Sequence, residues 1–140
     1  MRSPGRRPAT RAMILLFLAT GCVDSASQES ASLIDYHRSG GIRGTDDHLV
    51  IKNDGAATLT RNGSTATISI DAGVLTRLQN RLQAAGFGDL SSKYDSSAGG
   101  ADMYQYVITY QGHTVRAKDA SLPQALYPVI ELLDRILEGG

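Results

Sequence analysis

The sequence predicts an α+β domain: an antiparallel sheet of about six strands with two helices on one face, in the order ββββ-α-ββ-α. Three observations carry this. Alternating apolar runs are punctuated by Asp54-Gly55 and Asn62-Gly63, dipeptides that tolerate the positive φ of tight hairpin turns. After Asp71, residues Val74, Leu75, Leu78, Leu82 and Ala85 fall on one face of a helix. Near the end of the sequence, Leu126, Ile130, Leu133, Ile136 and Leu137 repeat that spacing.

Each element follows in turn. Ser32 to Arg38 alternates, with Ile34 and Tyr36 on one side and Asp35 and His37 on the other. Ser39-Gly40-Gly41-Ile42-Arg43-Gly44 breaks that run and is too long for a tight hairpin. Strands over Asp47–Asn53 and Ala56–Arg61 flank Asp54-Gly55, and Ser64–Ile70 follows Asn62-Gly63. A three-residue turn ending at a left-handed Gly55 sets 49 opposite 59 and 51 opposite 57. A two-residue turn at Asn62-Gly63 sets 59 opposite 66 and 57 opposite 68. This register gathers Leu49, Ile51, Leu59 and Ile68 on one face and leaves Thr58, Thr60, Thr65 and Thr67 on a wetter one. A one-residue slip would scatter both sets.

Asp71 is the natural N-cap of the first helix and Gly86 its stop, with Phe87 and Leu90 returning to the core. Ser91 to Ala101 reads as a mobile loop, rich in Ser and Gly (Ser96, Ser97, Gly99, Gly100). A further hairpin spans Asp102–Tyr110 and His113–Lys118 around Gln111-Gly112. It places Ile108 opposite Val115 and Tyr106 opposite Ala117, with Tyr104 and Tyr110 on the same face. The last helix opens near Ser121-Leu122-Pro123, and Pro128 either bends it or moves its start.

The N-terminal region is of another kind. Arg2, Arg6, Arg7 and Arg11 precede a short apolar run, Ala12 to Ala19, and Leu18-Ala19-Thr20-Gly21 leads into Cys22, the sole cysteine. This resembles the lipobox of bacterial lipoprotein signals. Residues 1–21 are then a signal peptide, Cys22 the lipidated residue, 22–32 a flexible tether and 33–140 a single α+β domain. The expectation is a cell-envelope protein, extracytoplasmic and held to a membrane through lipid on Cys22. Loss of residues 1–21 leaves ten Lys and Arg against fourteen Asp and Glu, a net charge of −4. Nucleic-acid binding, which needs clustered basic residues, is excluded as an expectation.

No catalytic constellation emerges. His37, His48 and His113 carry no metal spacing, and Cys-x-x-Cys, His-Glu-x-x-His and phosphate-loop patterns are missing from the sequence. Ser39 lacks the nucleophile-elbow context, and Asp46-Asp47 gives no sign of an opposed carboxylate pair. The reading is a non-enzyme without cofactor or metal. What remains are two presented loops: Ser39 to Gly44, exposing Ile42 and Arg43, and Lys93 to Gly100, with Tyr94 as anchor.

The segment Tyr36-His37-Arg38-Ser39-Gly40-Gly41-Ile42-Arg43-Gly44 and the acidic-apolar strand after it resemble the emfourin family. Leu59-Thr60-Arg61 and Tyr110-Gln111-Gly112-His113-Thr114-Val115 add to the likeness. The resemblance spans about Ile34 to Leu137 and implies a small protein inhibitor of thermolysin-like zinc metalloproteases. It makes Arg38, Ser39, Gly40, Gly41, Ile42, Arg43 and Gly44 the candidate partner contacts. The lipoprotein signal departs from the family. The alternative reading is a non-enzymatic envelope lipoprotein that binds another partner or serves a structural role.

Overall fold

The computed structural model describes residues 31–95, 97, 100 and 102–139. The signal peptide and lipidation readings, with Cys22, therefore lie outside the described residues, as do Ser96 and Gly99 of the loop expected to be mobile. Strands β1 (Ser32–Gly40), β2 (Thr45–Lys52), β3 (Ala56–Arg61) and β4 (Ser64–Ser69) form a meander that leads into helix α1 (Ala72–Ala84). A short strand β5 (Lys93–Tyr94), the hairpin of β6 (Tyr104–Tyr110) and β7 (His113–Lys118), and helix α2 (Tyr127–Gly139) complete the order.

All seven strands join one sheet, in the order β4-β3-β2-β1-β6-β7-β5. The α+β class stands, with two corrections: there is a seventh strand, and it runs parallel to its neighbour β7. Two residues are too few to show alternation, so sequence pattern could not reveal β5. It completes the edge of β7, where Arg116 N–H donates to Ser92 C=O at 2.9 Å, and it is held further by Ser121, just past β7, whose Oγ donates to Tyr94 C=O at 2.7 Å. Ser32, where the first alternating run begins, pairs with Lys52 in the sheet.

The local registers match expectation. Leu49 faces Leu59, Ile51 faces Ala57, Leu59 faces Ala66 and Ile108 faces Val115. Asn62 (φ 47°) with Gly63 (φ 85°), and Gln111 (φ 49°) with Gly112 (φ 80°), hold two-residue turns with both central residues at positive φ. Gly55 is fixed by more than its φ of 84°, since a Cβ there would lie 2.7 Å from Ile70 C=O.

Asp71 Oδ1 accepts from the N–H groups of Gly73 (2.8 Å) and Val74 (3.3 Å), capping α1. Leu75, Leu78 and Leu82 are its buried stripe, and Gly86 at φ 60° turns the chain so that Phe87 returns to the core. In α2, Pro128 moves the start rather than bending the helix. A 3₁₀ turn over Gln124–Leu126 precedes Tyr127, and Pro128 becomes the second residue, where no N–H is required. The buried face of α2 is wider than its predicted stripe, adding Val129 and Leu132. One core results, between both helices and the sheet face bearing Ile34, Tyr36, Leu49, Ile51 and Ile108.

Candidate functional site

The turn between β1 and β2 is tighter than expected. β1 continues through Ser39 and Gly40, Gly40 pairs with Thr45, and only Gly41 to Gly44 remain outside the strands. The reason lies in β6, which β1 also flanks. Gly40 has φ 102° and a Cβ there would sit 2.5 Å from Met103 C=O, while one on Gly41 would meet the Tyr104 ring at 2.9 Å. Gly41 N–H donates to Met103 C=O at 3.3 Å, and Gly44 N–H closes back to Gly41 C=O at 3.0 Å. The two glycines let the backbone press against β6 on one side and turn on the other. Ile42 stands at the tip, 86% exposed, with Arg43 exposed beside it.

Below the turn, on the helix-covered face, lies a buried ionic network. Arg38 pairs across the strands with Asp47, which is 2% exposed, at 2.7 Å from Nη2 to Oδ2. Arg38 Nη1 also meets Asp134 Oδ1 of α2 at 3.0 Å, and Tyr36 Oη donates to the same oxygen at 2.8 Å. Arg61 places Nε 3.4 Å from Asp47 Oδ1 and donates through Nη2 to the backbone carbonyl of Leu137. Tyr106 Oη donates to Asp119 at 2.7 Å, and the Arg38 guanidinium lies 5.4 Å from the centre of the Tyr104 ring. Arg38 Nε and Asp47 Oδ1 are buried without a hydrogen bond.

The electrostatics follow from burial. Desolvation, and then the charge of Asp134, push the Tyr36 hydroxyl far above the ordinary phenol range. Desolvation and the bond to Asp119 do the same to Tyr106. Desolvation also raises Asp134, outweighing the Tyr36 and Arg38 contacts that pull it down. For Arg38, burial works against the charge, but Asp47 and Asp134 together hold the guanidinium above its usual value. These groups brace the end of the sheet from which the turn projects, and they tie it to α2.

The open face carries a second cluster that the sequence reading passed over. Two Asp-x-His units, Asp35-Tyr36-His37 and Asp46-Asp47-His48, lie on adjacent antiparallel strands, with His37 directly opposite His48. Each histidine reaches diagonally to the other strand's aspartate, His37 Nε2 to Asp46 at 2.6 Å and His48 Nε2 to Asp35 at 2.9 Å. The ring centroids are 5.8 Å apart and nearly perpendicular. The repeated Asp-x-His is visible in the sequence, but only the β1–β2 register brings the two units face to face. An ionised carboxylate only accepts, so each Nε2 carries the proton in the pair. Ser39 faces Asp46 across the strands but makes no hydrogen bond to either histidine. Among the described residues no group of three or more His, Cys, Asp or Glu is arranged to hold a metal ion.

The sequence-derived candidates thus divide. Ile42, Arg43 and Gly44 are presented at the turn, Ser39, Gly40 and Gly41 form its base, and Arg38 points inward to Asp47 and Asp134. Tyr94 sits half-buried in β5, and its hydroxyl accepts from Ser91 N–H at 3.0 Å. His113 differs from an exposed turn residue. Its Nε2 donates to Leu90 C=O at 2.9 Å, and its ring stands edge-on to Phe87. Set against known proteins, the chain matches no family model and no curated protein.

Proposed function

We propose that this chain is a lipid-anchored envelope protein whose domain binds a protein partner through the Gly41–Gly44 turn, as an emfourin-like inhibitor of thermolysin-like metalloproteases. The observation that supports this reading is Ile42, 86% exposed at the tip of a turn whose base is packed against β6. An apolar side chain held out by a stiff scaffold loses little entropy on docking, which is how a small interface reaches useful affinity. Arg43 beside it adds a charged contact at the rim. The anchor on Cys22 would keep the domain at the membrane surface, with lipid supplying the attachment.

The test is inhibition of a panel of thermolysin-like proteases by residues 23–140, with serine proteases as controls. Selective inhibition, weakened by Ile42→Asp in a domain that stays folded, supports the reading. Equal inhibition by that variant moves the contact elsewhere. A folded domain that inhibits none of the panel favours the second reading, a non-enzymatic lipoprotein with another partner. The broad polar face with its His37–Asp46 and His48–Asp35 pairs offers a surface for that case. Incorporation of labelled palmitate, lost in Cys22→Ala, tests the anchor separately.

A further inference from the structure

The two edges of the sheet are finished differently. β5 is two residues long, and its Lys93 bonds Asp95 at 2.5 Å, so a foreign strand finds little to pair with. β4 at the other edge runs for six residues, Ser64-Thr65-Ala66-Thr67-Ile68-Ser69, with no charge and no proline. The two-residue turn at Asn62-Gly63 decides which backbone groups are free. Arg61 and Ser64 close the ladder, so Ser64, Ala66 and Ile68 direct their N–H and C=O groups to β3. Ile70 N–H continues that pattern, donating to Gly55 C=O at 2.8 Å. Thr65, Thr67 and Ser69 therefore aim theirs outward.

We propose that β4 pairs antiparallel with β4 of a second copy of this chain, with Thr67 facing Thr67 and Thr65 facing Ser69 of the second copy. In this register all three outward residues meet a partner, with two backbone hydrogen bonds at each facing pair. A shift of two residues strands an outward residue at each end, and a shift of one puts opposite faces together. Side chains agree with the backbone. On the helix side, half-buried Ile68 packs against exposed Ala66 of the second copy, large against small, beside the apolar groove lined by Val74 and Ile136. On the open side, Thr60 and Thr65 share a hydroxyl bond at 3.1 Å and Thr58 faces Thr67, a row of threonines that continues across the two-fold axis. An uncharged strand meets its own copy without opposing like charges, and this one is self-complementary over its full length. The proposal stands apart from the inhibitor reading, because β4 lies two strands away from β2, where the Gly41–Gly44 turn ends.

Sedimentation equilibrium of the full chain in density-matched neutral detergent tests it. The wild type is expected to dimerise reversibly. Thr67→Pro removes an outward N–H, leaves the bonds to β3 in place, and raises the dimer dissociation constant roughly tenfold or more. Thr67→Lys, which keeps the strand intact, sets two lysines face to face and weakens the dimer, and mixing it with Thr67→Glu restores a heterodimer. A wild type that stays monomeric overturns the proposal and leaves the edge to a foreign strand. A dimer untouched by both Thr67→Pro and Thr67→Lys overturns it equally, by placing the contact elsewhere.

Discussion

His37 and Arg38 are adjacent in sequence, and each is paired with an aspartate of β2, yet the two pairs live in different media. Arg38 and Asp47 face the helices, with side chains 15% and 3% exposed, whereas His37 and Asp46 face solvent at 38% and 68%. Strand alternation alone puts them on opposite sides. The same kind of contact therefore has very different consequences on the two faces of one sheet. On the open face, water replaces a lost partner. On the covered face water cannot do so, and the charge that remains sits in a low-dielectric interior with fewer opposing groups.

The largest expected effect comes from breaking the covered pair. Asp47→Ala takes the most buried carboxylate from Arg38 and Arg61, leaving Asp134 alone to oppose the Arg38 guanidinium, and should destabilise the fold by about 3 kcal/mol in denaturant titration, a large share of what a domain this size has. The double variant Arg38→Met, Asp47→Leu is expected to recover most of that loss. If Asp47→Ala were no more harmful than a surface substitution, the claim that burial separates the pairs would fail.

Smaller is the loss of one spoke. Tyr36→Phe removes the donor to Asp134 while Arg38 still holds the same oxygen, so about 1 kcal/mol is expected from thermal or chemical unfolding. The pH dependence of Asp134 probes the same network. Desolvation raises its pKa in the folded state, so the native protein binds that proton more tightly than the unfolded chain. Its contribution is then fully present below the ordinary carboxylate value of 3.8 and is lost as pH rises through the elevated folded value. The wild type minus Asp134→Asn difference in unfolding free energy should shift against the wild type over that rise. A flat difference would mean that Arg38 and Tyr36 fully offset burial.

The smallest effect belongs to the open face. Asp46→Ala should change stability by less than about 1 kcal/mol, because its contact with His37 is exposed and screened. A loss as large as that of Asp47→Ala would erase the distinction between the faces.

Much of this architecture was legible beforehand because its causes are local. Asp71 caps a helix whichever way the helix packs, and Asn62-Gly63 sets the pairing of Leu59 with Ala66 within a few residues. The presented turn was legible in part: its glycines were visible, but that Gly40 belongs to a strand pressed on Met103 depends on β6, far along the chain. The His37–His48 cluster and the Arg38–Asp47 pair went unread for one reason. Both need the β1–β2 register, and no two-residue turn signal announces it.

The class of the fold, the order of its long elements, three hairpin registers and most of the residues that line the core follow from the sequence alone. Turn chemistry, capping and apolar periodicity act over a few residues and do not need the rest of the molecule. Tertiary structure alone decided that β1 lies between β2 and β6, that β5 completes the edge of β7, and that Pro128 begins a helix rather than bending one. It also decided which charges are buried. Those outcomes depend on which surfaces meet over long separations, where a residue's partner is set by packing and burial rather than by its neighbours in the chain.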